Sequence, residues 1–186
     1  MTLLNRRALL GSLAAAAMLP VGRTLAATLS RPLMSNQLVS IENFDASGKS
    51  SGVAQVAKIV KAEAEWQQQL SPVAFTVTRQ EGTERAYTGE YARSHADGLY
   101  HCICCDTALF DSRTKFESGT GWPSFYKPLS AKNVGKAVDN SLGMSRDAVS
   151  CRRCDAHLGH VFDDGPPPTG LRYCLNSVAL HFVARA

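Results

Sequence analysis

What this sequence lacks narrows it first. The apolar run from Ala8 to Pro20 has about 13 residues, short of the ~20 that a helix needs to cross a bilayer. No cysteine lies at the end of that run, the first being Cys102, which argues against a lipoprotein. Residues 1–26 contain no acid, only Arg6, Arg7 and Arg23; without them the formal charge of +4 falls to +1. Neither a strongly basic balance nor a basic face interleaved with aromatics is present, so nucleic acid is not an expected partner. Gly48-Lys49-Ser50 lacks the glycine a phosphate loop needs five residues earlier, where Asn43 stands. There is no internal repeat beyond a duplicated Cys-x-x-Cys.

What is present suits one folded domain. The 186 residues are 45% hydrophobic and 19% charged, enough for a real core. The N-terminus has a basic head (Asn5-Arg6-Arg7), an apolar middle and small residues at Thr24-Leu25-Ala26-Ala27. That layout predicts a signal over 1–27 of twin-arginine type, export by the twin-arginine machinery and, in a Gram-negative bacterium, a periplasmic location. Residues 28–61 read as a linker and the start of a helical arm, with Ser47 to Gly52 as its flexible part. Val53, Val56, Val60 and Ala64 recur at near-helical spacing and predict a helix over 53–70, ended by Ser71-Pro72, which can cap the next one. From Tyr87 on, short apolar segments separated by Gly, Pro, Asn and Asp predict a mainly β domain. Val178, Leu180 and Phe182 alternate as in a half-buried strand.

The six cysteines divide by spacing. Cys102/Cys105 and Cys151/Cys154 form two Cys-x-x-Cys pairs, which together complete a tetrahedron around one Zn²⁺ and leave no open position, so the metal would be structural. Disulfides or a redox-active pair are the alternatives. Cys104, inside the first pair, is either an incidental small residue or a spare thiol. Cys174 stands alone between Arg172, which can favour a thiolate, and Asn176, which can hydrogen-bond a substrate oxygen; a buried core cysteine is the plain alternative. His157 and His160 are three apart and can deliver protons near such a thiol, with a carboxylate of Asp163-Asp164 as a candidate to orient an imidazole. Trp122, on the glycine-rich loop Ser118 to Phe125, can wall a pocket for a methyl group or simply fill the core.

Taken together, Gly82-Thr83-Glu84-Arg85 through Tyr91, Tyr100-His101-Cys102 through Phe110, Lys115 through Phe125, Ala156 through Phe162 and Thr169 through Ser177 resemble the methionine sulfoxide reductase B family, in order from about residue 62 to the end. The resemblance implies two antiparallel sheets with helices on the N-terminal side of a domain spanning 62–186. It implies Cys174 as nucleophile on the R-sulfoxide sulfur, His160 and His157 as its proton-handling neighbours, and Asp164, Arg172 and Asn176 as the rest of a polar network. Trp122 would pack on the S-methyl group, and Cys102, Cys105, Cys151 and Cys154 would hold Zn²⁺. Oxidised methionine in proteins would be the substrate, a thioredoxin-like protein the reductant, and the chain a monomer. Many members carry a second, resolving cysteine at the position of Thr120; here recycling falls to Cys104 or to an external thiol acting directly. Two rivals from other classes are a zinc-ribbon-like binding module and a thiol–disulfide oxidoreductase using Cys102 and Cys105.

Overall fold

The computed structural model describes residues 34–140 and 145–185. The expected signal over 1–27 lies outside the described residues. Among the described residues, no helix is long and apolar enough to cross a membrane.

The chain opens with an antiparallel hairpin, β1 (Met34–Phe44) and β2 (Ser50–Ile59), followed by helices α1 (Glu63–Gln69) and α2 (Pro72–Arg79). The helix expected over 53–70 therefore begins only at Glu63. Val53, Val56 and Ile59 are β-branched and stiff at χ1, and they pair with β1 rather than wind. The expected flexible linker is an ordered turn: the Asp45 carboxylate accepts from the backbone of Ser47 (2.9 Å) and Lys49 (3.0 Å). The cap at Ser71 forms as expected, its hydroxyl accepting from Ala74 N at 3.2 Å with Pro72 in the first turn.

The rest is mainly β. β3 (Gly98–Cys102) and β4 (Ala108–Asp111) join the last strand, β11 (Leu180–Ala184), in a three-stranded sheet. A six-stranded sheet runs in the order β5 (Lys115–Phe116), β6 (Ser124–Phe125), β10 (Arg172–Leu175), β9 (His157–Phe162), β8 (Arg146–Cys151), β7 (Val134–Asp139). All pairings are antiparallel. Aromatic side chains join the sheets: Tyr100 and Phe110 from the smaller one meet Phe125 at ring-centroid distances of 5.1 and 4.8 Å, and Phe110 meets Tyr173 at 5.6 Å. Tyr100, Phe110 and Phe125 are fully buried, each removing the large apolar area that holds such a core together.

The hairpin docks by polar contacts as well as by buried Ile41. Asn133, itself buried, accepts from Glu42 N (2.9 Å) and donates to Glu42 O (2.8 Å), replacing the sheet partner that β1 lacks on that side. At the other end Ile59 N donates to Arg153 O at 2.8 Å, and Lys58 pairs with Asp155 at 2.8 Å.

Candidate active site

Cys174 sits on β10 between two partner strands, with His160 of β9 directly opposite on one side and Ser124 of β6 on the other. Cross-strand partners project to the same face of a sheet, so this register alone brings the thiol and the imidazole together. The thiol is half-buried, and burial pushes its pKa up; Thr120, the Arg172 charge and Ser124 pull the other way. It opens on a cavity of about 110 Å³ lined by His160, Trp122, Phe162, Arg146 and Asn176.

A bulge explains how both histidines reach this side. Residues three apart on a regular strand face opposite ways. Here Ser150 pairs with His157 but Val149 with Gly159, so Leu158 is one residue extra and the alternation resets. The two imidazole centroids end 5.3 Å apart. Gly159 is required at the bulge: its φ is +154°, and a Cβ there would stand 2.1 Å from the carbonyl oxygen of Cys174. His157 is buried, and burial, with His160 beside it, lowers its pKa to about 4, so it is neutral at neutral pH.

The carboxylate that orients His160 comes from elsewhere than Asp163-Asp164. Asp139, at the end of β7, lies 2.9 Å from His160 Nε2 and accepts from Arg146 at 2.8 Å. Neither Asp139 nor Arg146 was singled out from the sequence; the only signal is an acid and a base flanking the β7–β8 turn, where they pair in register. Asp164 instead takes the Arg172 guanidinium in a two-point grip at 2.8 and 2.7 Å, which holds its carboxyl below the usual carboxylate range. Arg172 also lies over the Phe162 ring at 4.3 Å. The pair therefore fixes a cation beside Cys174.

Asn176 lines the cavity, yet its amide is engaged by the fold: Oδ1 accepts from Glu84 N at 2.9 Å and Nδ2 donates to Leu158 O at 3.1 Å. Glu84 is a buried residue that the sequence offered only inside a longer block. Its carboxylate accepts from the backbone of Ser177 (2.7 Å) and Val178 (3.0 Å), capping the short 3₁₀ turn Ser177–Ala179. Its carbonyl accepts from Trp122 Nε1 at 3.1 Å. Glu84 thus links the indole to Asn176.

Thr120 Oγ1 lies 3.8 Å from Cys174 Sγ, and a run of hydroxyls continues through Ser118 (2.9 Å) to Ser124 (2.7 Å). Tyr87 holds that loop at two points, its N donating to Gly121 O (2.8 Å) and its hydroxyl to Gly119 O (2.5 Å). Cys104 is buried and faces Cys102, Cys154 and Thr78; it is not among the described residues that line the Cys174 cavity.

The other four cysteines converge. Cys102 ends β3 and Cys105 lies in the turn to β4, while Cys151 ends β8 and Cys154 lies in the turn to β9, so one pair comes from each sheet. Both turns are built alike: the residue after the second cysteine (Asp106, φ +60°; Asp155, φ +55°) donates its N–H to the carbonyl of the first cysteine. The four sulfurs lie within 4.8 Å of one another, Cys102 to Cys154 at 3.7 Å and Cys105 to Cys151 at 3.5 Å. A tetrahedron with Zn–S bonds of about 2.3 Å has edges of about 3.8 Å, whereas a disulfide needs about 2.05 Å. All six cysteines are free thiols. The donor set thus fits Zn²⁺ and fills its coordination sphere, so the metal would pin the two sheets together and supply no chemistry at Cys174.

Comparison with known proteins agrees with this geometry. A family model described as the SelR domain matches residues 70–184, leaving the N-terminal hairpin outside it. The chain is 58% identical over 129 residues to a peptide methionine sulfoxide reductase MsrB of Pseudomonas syringae pv. syringae, covering 69% of this chain and 98% of that protein. It is 56% identical over 128 residues to the MsrB of Pseudomonas fluorescens Pf0-1, covering 69% of this chain and 98% of that protein. It is 56% identical over 126 residues to the MsrB of Chromohalobacter salexigens, covering 67% and 95% respectively. With its antiparallel sheets, its tetrathiolate cluster and these matches, the chain belongs to the MsrB family of methionine sulfoxide reductases, which are oxidoreductases.

Proposed function

We propose that the chain reduces the R epimer of methionine sulfoxide, chiefly in oxidised proteins, with Cys174 as nucleophile. The observation that carries this is the register of β9, β10 and β6, which sets His160 opposite a half-buried thiol beside a small cavity walled by Trp122. Trp122 and Phe162 take the S-methyl group, since sulfur and methyl groups pack well against aromatic faces. The Cys174 thiolate, favoured by Arg172, attacks sulfur, and His160, oriented by Asp139, gives a proton to the departing oxygen. In net terms the enzyme thiol and the sulfoxide become methionine and a Cys174 sulfenic acid. Two thiols then regenerate Cys174, release water and leave as a disulfide. A depression of about 740 Å³ that shares Arg146 and Phe162 gives room for polypeptide on either side of the sulfoxide.

Thr120 cannot form a disulfide and Cys104 lies against the metal cluster, so direct attack on Cys174 by an external, thioredoxin-like thiol is the favoured recycling route. The layout of residues 1–27 supports export by the twin-arginine route to the periplasm, where the protein acts as a monomer with Zn²⁺ held by Cys102, Cys105, Cys151 and Cys154. The test is turnover of R- and S-methionine sulfoxide with dithiothreitol by wild type and C174S. Reduction of the R form alone, lost in C174S, is expected. No turnover by folded, zinc-loaded wild type would refute the proposal.

A further inference from the structure

We propose that His101, Asp106 and His181 form a second divalent-cation site, open to solvent and built on the outside of the first cysteine turn. Strand register makes the juxtaposition: His181 of β11 is the direct partner of His101 of β3, so both imidazoles stand on one face, with ring centroids 5.9 Å apart and planes at 78°. Asp106 follows Cys105 and is fixed at φ +60°, its N–H donating to Cys102 O at 2.8 Å. The turn that aims two thiolates inward therefore aims a carboxylate outward at the two imidazoles.

The donor geometry is that of a metal site of the borderline class, Zn²⁺, Co²⁺ or Ni²⁺. Asp106 Oδ1 is 3.1 Å from His101 Nδ1 and 3.3 Å from His181 Nδ1, and the three atoms lie within 4.8 Å of one another. Ligands about 2.0–2.1 Å from a tetrahedral ion sit about 3.3 Å apart, so two of the three edges already have the right length. The Asp106 carbonyl oxygen, 3.0 Å from His101 Nδ1, is a further donor at hand. Nε2 of His101 is buried without a protein partner, which directs the ring's polar chemistry through Nδ1.

Exposure sets the character of the site. The His101 side chain is 16% exposed, whereas those of His181 and Asp106 are 47% and 73% exposed. One anchored ligand and two at the surface leave the remaining positions to water, so the ion would exchange freely. Two neutral imidazoles and one carboxylate are a weakly charged set. A tetrathiolate holding Zn²⁺ has a net negative charge next door, and this favours a second cation. Without metal, His101 Nδ1 shares a hydrogen bond with the Asp106 carboxylate, and His181 Nδ1 stands 3.3 Å from the same oxygen.

The test uses the full-length protein with its tetrathiolate metal in place, dialysed against a mild chelator and then titrated with Zn²⁺ alone. Calorimetry and elemental analysis count the equivalents. Wild type is expected to take up one equivalent beyond the tetrathiolate metal. H181A is expected to weaken that uptake at least tenfold while leaving the tetrathiolate metal content unchanged. H95A, which alters an exposed histidine elsewhere, is the control and is expected to bind as wild type does. No further equivalent in wild type, or the same uptake in H181A, overturns the proposal. His181 lies on a strand surface outside the cysteine turn, so loss in H181A with an intact tetrathiolate cannot be ascribed to misfolding. Co²⁺ added to the same zinc-loaded protein gives a second readout: weak d–d bands report the second site and are lost in H181A, while intense thiolate charge-transfer bands, which would mark Co²⁺ on the cysteines, stay absent in both.

Discussion

Replacing Thr120 with cysteine would put a second thiol beside Cys174 and change how the protein handles oxidation. Thr120 Oγ1 already lies 3.8 Å from Cys174 Sγ, and a disulfide needs about 2.05 Å, so the loop and the two side chains must close by under ~2 Å. The residues are 54 apart, and tying off a loop of that length removes about 4 kcal/mol of chain entropy from the unfolded state. Strain reduces that gain, because Tyr87 grips the loop at Gly119 and Gly121. Treated with one equivalent of hydrogen peroxide, T120C is expected to lose two titratable thiols, and peptide mapping should place the bond between positions 120 and 174. Its melting temperature should exceed that of its reduced form by up to about 10 °C. Wild type under the same treatment should hold a sulfenic acid that dimedone traps. If T120C is also trapped by dimedone and keeps its melting temperature, the loop does not approach Cys174 as described.

D139N removes the charge facing His160; kcat should fall by about 10- to 100-fold with KM little changed, and an unaltered kcat would remove Asp139 from the site. E84A leaves the buried N–H groups of Ser177 and Val178 without their charged acceptor; urea unfolding should show a loss of about 3 kcal/mol, and a loss below half of that would mean the turn caps itself. His157 has a folded pKa of about 4 against an ordinary value of 6.5. Its contribution is thus fully present above pH 6.5 and lost as pH falls through 4, reaching about 3 kcal/mol. H157N should flatten the stability–pH curve by that amount between pH 8 and 4, and an unchanged slope would place the acid sensitivity elsewhere.

Residues whose role depends on chain-local spacing were legible in the sequence. The two Cys-x-x-Cys pairs announced a tetrathiolate because each turn is complete within a few residues, and Ser71-Pro72 announced a helix start for the same reason. Cys174 and His160 stood out through chemistry, and strand pairing then brought them together. What escaped was set by register and tertiary docking. Asp139 reaches His160 only because β7 pairs with β8 and β8 with β9. Glu84 acts 93 positions away from the backbone it caps. Residues 53–59 carry a helical apolar period, yet β-branched side chains and a partner at 34–44 draw them into a strand.

The extra residue in β9 has a consequence for how this protein can vary. Substituting Leu158 alters packing by a graded amount, but inserting one residue between Val149 and Ser150 would give Leu158 a partner, let β8 and β9 pair without interruption and make a more regular ladder. That improvement would carry His157 to the other side of the sheet and dissolve the arrangement around Cys174. The number of residues in β8 opposite this stretch is therefore under as tight a constraint as the identity of Gly159.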